Sequence, residues 1–215
     1  LTMKESVYSW ALELQKEIAT KITYNDKPIK IKNICAVDVS YKNEIAYCSA
    51  VIMNKTFDLI DTINFKSIVK YPYIPGLFFL RESGPIFGAL EKLRNDYDLL
   101  IIDGHGTLHP RKCGLASYVG YSVNKPTIGV AKSRLCGSVR EDQFIEYDDK
   151  VLGYRIRKKG KKDLYVSVGH KISLRLAVEI VQKLIKSEER LPEPLRIADL
   201  YSKDHSNFSD IFSTF

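Results

Sequence analysis

Two aspartates lie in or directly after apolar segments, where a charged side chain is unexpected. Asp38 lies within Ala36-Val37-Asp38-Val39, and Asp103 follows Leu99-Leu100-Ile101-Ile102. Burial of an unpaired carboxylate is costly, so each must be paired, exposed on one face of a strand, or bound to a cation. Hard cations such as Mg²⁺ take oxygen ligands, usually a few carboxylates with waters and phosphates. The two aspartates together favour a divalent-metal site, although each alone also fits a structural role.

A segment with restricted backbone freedom lies between these two aspartates, at Tyr71-Pro72-Tyr73-Ile74-Pro75-Gly76. Its two prolines stiffen the chain, so its aromatic and branched side chains are presented together. Apolar and proline wedges of this type enter the base stack in proteins that bend DNA. The same composition also fits a loop that packs onto the core, and the sequence leaves both interpretations open.

Two basic features can contact phosphate groups. Residues 155–162 include six positive side chains in eight, which is typical of either a solvated hairpin or a phosphate-contacting arm. His170 and Lys171 lie just before a helix that Ser173 can cap. Because a helix N-terminus with basic neighbours attracts anions, we predict that His170 and Lys171 contact phosphate.

The elements that must position these residues begin with a helix, predicted over residues 4–22 from its roughly helical apolar spacing. Short apolar segments joined by asparagine-containing turns then predict an antiparallel meander of three strands, at 34–39, 44–53 and 57–65. Residues 71–80 are apolar, but prolines and a glycine interrupt them, which predicts a loop.

The second half of the chain alternates predicted helices and strands. Ser83-Gly84-Pro85 predicts the start of a helix, because proline suits the first helical turn. The apolar runs at 99–102 and 126–130 predict buried parallel strands. Helices are predicted over 114–123 and from Ser173 to about Ser187, the latter from apolar residues at i, i+3, i+4 and i+7. The polar tail after Tyr201 is predicted to be loosely held.

This order of elements predicts an α/β fold with one mixed sheet, a three-strand antiparallel meander plus parallel strands, and helices on both faces. Sites in such sheets lie at the carboxyl ends of adjacent strands, so we expect Asp38 and Asp103 to lie together. A chain of 215 residues suffices for one core and no linker divides it, so residues 1–215 are predicted to form a single domain.

The composition disfavours several classes of protein. Lys+Arg exceed Asp+Glu by 33 − 26 = 7, which indicates either a polyanionic partner or an inert basic surface. No apolar run approaches the ~20 residues of a membrane helix, and the start of the chain lacks the pattern of a secretion signal. The four cysteines form no C-x-x-C pair, which disfavours structural zinc. We expect a cytoplasmic, monomeric protein that does not bind a membrane.

A set of segments along nearly the whole chain resembles the endonuclease V family, the deoxyinosine-directed endonucleases. Each segment alone is weak evidence, but together they are highly specific. They lie at 36–41, 71–77, 80–82, 103–106, 109–111, 114–117, 126–133, 191–194 and 196–199. The resemblance implies a ribonuclease H-like fold, which agrees with the predicted order of elements. It also implies Mg²⁺ as the cofactor, with Mn²⁺ as a substitute.

The resemblance further implies roles for individual residues. Asp38, Glu82 and Asp103 match the catalytic carboxylates that hold the metal, and Asp199 occupies a fourth metal-site position. Lys132 matches a catalytic lysine near the scissile phosphate. The strand-separating wedge corresponds to Pro72, Tyr73, Ile74 and Pro75. The pocket for the lesion base is implied at Gly76, Phe78, Gly104, Gly106, Leu115 and Leu135, with Phe78 where an aliphatic residue is usual.

The implied activity is a nick in one DNA strand, one nucleotide 3′ of a deaminated base such as hypoxanthine, leaving 3′-hydroxyl and 5′-phosphate ends. The residue types suit it, since carboxylates hold metal ions and a lysine offsets charge on a phosphate. Two alternatives stay open. The substrate can be inosine-containing RNA, or the chain can be a non-catalytic nucleic-acid-binding module whose aspartates are structural.

Overall fold

Three long antiparallel strands follow the first helix in the computed structural model, which describes residues 3–208, with side chains from Ser6 onward. The helix is α1 (Met3–Lys21), and the strands are β1 (Asn33–Lys42), β2 (Ile45–Asn54) and β3 (Leu59–Ile68). β1 pairs with β2 and β2 with β3, both antiparallel. The predicted meander is therefore confirmed, with longer strands than the apolar runs alone suggested.

Parallel strands continue the sheet from β1. Helix α2 (Phe78–Leu90) leads to β4 (Leu99–Asp103), and α3 (Leu115–Val123) leads to β5 (Thr127–Ala131). β4 pairs in parallel with both β1 and β5. Each crossover helix covers the same face of the sheet, and each strand ends at the same edge. The predicted alternation of helices and parallel strands is therefore confirmed from α2 to β5.

Four further strands were not predicted from the sequence. They are β6 (Ser138–Val139), β7 (Phe144–Tyr147), β8 (Lys150–Ile156) and β9 (Leu164–His170), and all pair antiparallel. β9 joins them to β5, which gives the order β3-β2-β1-β4-β5-β9-β8-β7-β6. The alternation of buried Leu164, Val166 and Val168 is the strand signal that the sequence analysis missed. The chain continues through α4 (Leu174–Leu184) and α5 (Glu193–Lys203).

Apolar side chains alternate between the two faces of the sheet. Ala36 and Ile101 pack in one core with α4 and α5, whereas Val37 and Ile102 pack in the other with α2 and α3. Successive residues of a strand point to opposite faces, so positions 38 and 103 fall on the α4 and α5 side. This alternation turns both aspartates toward the same side of the sheet edge.

The predicted start of the second helix is wrong. α2 begins at Phe78, so Pro85 lies inside the helix rather than in its first turn. The turn before α2 explains the difference, because Gly76 has φ +78°, in the left-handed region that favours glycine, and so redirects the chain at that point. The predicted loop at 71–80 accordingly ends at Leu77. As a result, Glu82 and Ser83 lie within a helix and are buried.

The C-terminal helices also differ from prediction in their ends. Ser173 caps α4 as expected, because its side chain accepts a hydrogen bond from the Leu176 N–H. α4 ends at Leu184, earlier than predicted, because Ile185 is extended and forms a β-bridge with Pro192. The helices within residues 3–208 include none that is long and apolar enough to cross a membrane.

The segment after α5 packs against β2. The His205 ring stacks on the Tyr47 ring at 4.0 Å, and the buried Phe208 meets the same ring edge-on at 5.0 Å. These contacts contradict the prediction of a loosely held tail as far as Phe208. The rest of that tail, residues 209–215, lies outside the described residues.

Candidate active site

Three carboxylates converge at the sheet edge where β1 and β4 meet α5. β1 and β4 are paired up to Val37 opposite Ile102, and Asp38 and Asp103 each follow by one residue. Asp199 reaches them from α5, so that one oxygen atom of each carboxylate lies within 4.8 Å of the others. The expectation that Asp38 and Asp103 lie together is therefore confirmed, and Asp199 joins them.

The ammonium group of Lys132 lies among these carboxylates. Lys132 directly follows β5, and its Nζ is 2.5 Å from Asp103 Oδ2, 2.6 Å from Asp199 Oδ1 and 4.0 Å from Asp38 Oδ1. Burial lowers the pKa of Lys132, but the carboxylates, Asp103 foremost, raise that pKa by more. Lys132 therefore stays charged and offsets part of the negative charge.

The pKa values of Asp38 and Asp199 are shifted in opposite directions. Burial, and next the charge of Asp103, raise the pKa of Asp38 to about 7. Burial also raises the pKa of Asp199, but hydrogen bonds from Lys132 and Lys203 reverse this, and the net pKa is lowered. The site thus holds an easily ionised carboxylate beside one that is readily protonated, an arrangement common at functional sites.

The donor set fits a hard divalent cation. Asp38, Asp103 and Asp199 offer only oxygen atoms, from three different elements, and Mg²⁺ is usually bound by a few carboxylates together with waters and phosphates. Asp38 is almost fully buried, whereas Asp103 and Asp199 are only partly so, which leaves one side open to a substrate. These three residues would hold the metal.

Glu82 lies outside this group of three. It is buried within α2, and its Oε1 accepts a 2.9 Å hydrogen bond from the Tyr41 hydroxyl. Burial, assisted by the charges of Asp38 and Asp103, raises the pKa of Glu82 well above its ordinary value, although the Tyr41 hydrogen bond opposes the rise. Glu82 therefore lies close enough for the charges of Asp38 and Asp103 to raise its pKa, but it is not one of the three carboxylates whose oxygen atoms converge.

Ser202 is a residue of this site that the sequence analysis missed. Its fully buried hydroxyl donates a 2.5 Å hydrogen bond to Asp38 Oδ2. Ser202 is three residues after Asp199 on α5, so both side chains lie on one helix face. The three-residue spacing from Asp199 was the only sequence feature that pointed to Ser202. It indicates a contact with Asp38 only once α5 is known to lie against β1. The bond fixes one Asp38 oxygen and leaves Oδ1 facing the cluster.

A cavity of about 290 Å³ lies beside the carboxylates, with Asp103 and Lys132 in its lining. The residues predicted for the base pocket that line it are Gly76, Phe78, Gly104, Leu115 and Leu135. Gly106, which was also predicted for the base pocket, is not among the residues that line this cavity. A Cβ at Gly106 would lie 1.9 Å from the Val168 carbonyl oxygen, so Gly106 instead permits close packing against β9.

The carbonyl oxygen of Gly76 accepts three hydrogen bonds at the edge of this cavity. The donors are Gln15 Nε2 at 3.0 Å, Arg111 Nη2 at 2.6 Å and His109 Nε2 at 3.1 Å. Gln15 is a buried residue of α1 that no motif indicated. These bonds fix the peptide that joins the wedge segment to the cavity wall.

The predicted wedge segment presents Tyr73 to solvent at the cavity rim. Tyr73 is 63% exposed, and Pro72 and Pro75 are also exposed. The Tyr73 ring contacts the Phe78 ring edge-on at 5.7 Å. Ile74 packs against the core shared with α2 and α3. Ile74 is therefore part of the core packing, whereas the exposed Tyr73 ring can contact a ligand.

His170 and Lys171 lie away from the carboxylates. β9 runs antiparallel to β5, so His170 pairs with Thr127 at the end of β5 opposite to Lys132. His170 is buried, and Lys171 Nζ donates to the Asn124 carbonyl at 3.2 Å. The structure does not bring this predicted phosphate site to the acidic cluster, because β9 runs antiparallel to β5 and ends at the opposite end of that strand.

Comparison with known proteins identifies relatives of this chain. The family model described as Endonuclease V matches residues 13–200. A protein of Thermofilum pendens named endonuclease V is 39% identical over 199 residues, which cover 89% of this chain and 86% of that protein. The family-model match therefore includes all three converging carboxylates and α5 as far as residue 200.

Solved structures agree with the sequence match. Endonuclease V of Streptomyces avermitilis has a TM-score of 0.82 and 29% identity, covering 90% of each chain. Endonuclease V of Ciona intestinalis, in complex with a DNA containing an inosine followed by a ribo-adenosine, has a TM-score of 0.80 and 28% identity, covering 92% of this chain and 96% of that one. These neighbours confirm the predicted ribonuclease H-like fold. The chain belongs to the endonuclease V family, whose members are nucleases that hydrolyse phosphodiester bonds.

Proposed function

We propose that this protein is a Mg²⁺-dependent endonuclease that nicks DNA one nucleotide 3′ of deoxyinosine and leaves 3′-hydroxyl and 5′-phosphate ends. The observation that carries this proposal is the convergence of Asp38, Asp103, Asp199 and Lys132 beside a cavity that is rimmed by Tyr73. The inosine-containing DNA bound by the relative from Ciona intestinalis supports a deaminated base as the lesion.

Each part of the site has a distinct task in the proposed reaction. Asp38, Asp103 and Asp199 would hold a divalent cation, and when bound that cation would supply an activated water and stabilisation of the departing alkoxide. The Lys132 ammonium offsets charge on the scissile phosphate. Glu82 completes the proposed catalytic carboxylates, with its orientation set by the Tyr41 hydroxyl.

Recognition of the lesion uses the cavity and the wedge segment. A mispaired base costs less to unstack, so a flipped deaminated base is selected partly by the ease of extrusion. The cavity between Gly76 and Leu115 receives this base, and Gly104 allows close approach of the backbone. Tyr73 is exposed at the rim, where it can stack on the bases that remain.

Inosine-containing RNA is the second candidate substrate. The DNA bound by the relative from Ciona intestinalis carries a ribo-adenosine directly after the inosine, so that protein accommodates a 2′-hydroxyl at that position. The same carboxylates would serve both substrates, because the reacting phosphodiester is common to DNA and RNA.

A single assay separates these possibilities. Matched DNA and RNA strands with one inosine are incubated with the protein and Mg²⁺, and the products are sized. We expect a DNA product cut one nucleotide 3′ of the inosine, no product from Asp103→Asn, and near-normal inosine binding by that variant. Cleavage of RNA alone would assign the second candidate. Absence of product from both strands, or full turnover in excess chelator, contradicts the proposal.

A further inference from the structure

A second concave surface, which we call the basic groove, lies on the α4 side of the sheet. It is a cavity of about 190 Å³ between the β8–β9 turn and the connection from α4 to α5. Its cationic lining residues are Arg157, Lys158, Lys161, Lys162 and Arg190, and no acidic residue lines it. The other lining residues are apolar apart from one glutamine. The basic groove is therefore suited to an anionic ligand.

Hydrogen bonds hold the walls of the basic groove together. Lys158 Nζ in the turn donates to the carbonyls of Lys186 and Glu189, each at 2.9 Å. From the opposite wall, Arg190 Nε donates to the Lys162 carbonyl at 2.9 Å, and Arg190 Nη2 donates to the Asp163 carbonyl at 2.7 Å. The groove is thus a fixed feature of the fold, with Lys158 and Arg190 as its structural cations.

Two lysine side chains of the basic groove are not engaged in interactions with the rest of the described protein. Lys161 and Lys162 are exposed, and within residues 3–208 their side chains make no hydrogen bond or ion pair. The nearby acid, Asp163, lies 3.6 Å from both Arg155 and Arg157, so its charge is already paired. The ammonium groups of Lys161 and Lys162 are therefore available to a ligand.

Lys132 connects the basic groove to the site of cleavage. Arg190 Nη2 donates a 2.9 Å hydrogen bond to the Lys132 carbonyl, while the Lys132 side chain lines the base cavity. The cavity is bounded by α2 and α3, whereas the groove is bounded by α4 on the other face of the sheet. Lys132 therefore contacts the carboxylates with its side chain and the basic groove through its carbonyl oxygen.

We propose that the basic groove binds backbone phosphates of the cleaved strand on the 3′ side of the cut. This inference rests on the proposed function, in which the lesion base occupies the cavity and lies 5′ of the cut. The strand then leaves the carboxylates past Lys132 and meets Lys161 and Lys162. Each phosphate that these lysines neutralise releases condensed counterions, so the contact adds affinity without reading the sequence.

The test compares the double variant Lys161→Gln/Lys162→Gln with the matched control Lys27→Gln/Lys30→Gln. The control has the same loss of charge, but its lysines precede β1, at the sheet edge opposite the carboxylates. Binding is measured by fluorescence anisotropy without added metal, on inosine-containing single strands. One strand has long flanks, one ends just beyond the cut on the 3′ side, and one begins just before the inosine.

We expect the double variant to bind the long strand and the 5′-shortened strand roughly tenfold more weakly than wild type, with a salt slope reduced by about 0.7 for each lost contact. On the 3′-shortened strand, the double variant and wild type should bind alike. The control should match wild type on all strands.

Several results would overturn the inference. They are equal losses on both shortened strands, a loss that follows the 5′ flank, the same loss in the control, or no loss at all. The failure of the proposed function gives a different pattern, because wild type would then fail to cleave inosine strands or cut them elsewhere. The flank dependence of binding can still be measured in that case, since it requires no cleavage.

Discussion

The side-chain amide of Gln15 in α1 donates a 3.0 Å hydrogen bond to the carbonyl oxygen of Gly76, at the start of the cavity wall. The same nitrogen donates at 2.7 Å to the carbonyl of Cys113, just before α3, and Oε1 accepts from Arg111 at 2.6 Å. A single buried amide therefore joins two walls of the base cavity, and it fixes the distance between them.

Replacement of Gln15 by leucine should loosen the cavity. The variant keeps the side-chain size but leaves the partly buried Arg111 Nε and the buried Cys113 carbonyl without their partner, at a cost of about 1–3 kcal/mol. We expect KM for inosine substrate to rise more than kcat falls, and discrimination between deoxyinosine and the bulkier deoxyxanthosine to decrease. Lys16→Leu, on the exposed side of α1, is the control. Equal kinetic constants for Gln15→Leu and wild type would show that the amide does not set the cavity.

Removal of the Ser202 hydroxyl should weaken metal binding. Ser202→Ala leaves Asp38 Oδ2 without its buried donor, and loss of such supporting partners typically weakens metal binding by about 10–100-fold. We expect that loss for Mn²⁺ measured by calorimetry, with cleavage restored at high metal concentration. Ser206→Ala removes an exposed hydroxyl on the same segment and should bind metal as wild type does. Unaltered Mn²⁺ affinity in Ser202→Ala would contradict a role in orienting Asp38.

Truncation of Tyr73 should weaken lesion binding without affecting the fold. Because the ring is 63% exposed, Tyr73→Ala should retain the wild-type melting temperature. Stacking of a base on an aromatic ring contributes ~1–3 kcal/mol, and binding of inosine strands should weaken by about that much. The loss should be larger on duplex than on single strands, since only the duplex must be opened. A lowered melting temperature with equal losses on both substrates would instead indicate core packing.

Glu193 should make stability depend on pH in the acid range. Hydrogen bonds from Arg196, foremost, and from Lys186 lower the pKa of Glu193 from its ordinary 4.5 to about 2. A carboxyl whose pKa is lower in the folded state stabilises that state above the unfolded pKa, and the contribution is lost as pH falls from about 4.5 toward 2. Glu193→Gln should therefore lower the melting temperature at pH 7, and the difference from wild type should shrink below pH 4.5. A constant difference across that range would refute the linkage.

The meander and the adjacency of Asp38 and Asp103 could be predicted from the sequence because both follow from local patterns. Apolar runs identified β1 and β4, and the parallel-sheet rule placed their ends together. Asp199 could be placed only by family resemblance, because its position depends on how α5 packs against β1. Pro85 misled the prediction of α2, since a proline usually marks a first turn but lies here inside the helix.

Residues that act through long-range packing were the least predictable. Gln15 is 61 residues from Gly76 and 98 from Cys113, and no periodicity or motif relates these positions. The position of His170 and Lys171 relative to the carboxylates could not be predicted, because it depends on the pairing of β9 with β5, a contact between segments far apart in the sequence. The wedge segment, by contrast, is one short stretch that its two prolines mark in the sequence, whereas the cavity residues come from separate segments and were indicated only by the family resemblance.

The third carboxylate belongs to an element that is not part of the sheet. Asp38 lies in β1 and Asp103 ends β4, whereas Asp199 and the Ser202 hydroxyl both lie on α5. Displacement of α5 from β1 would therefore remove one carboxylate and the hydrogen-bond donor of a second in a single event. The integrity of the acidic cluster is thus coupled to the docking of one helix.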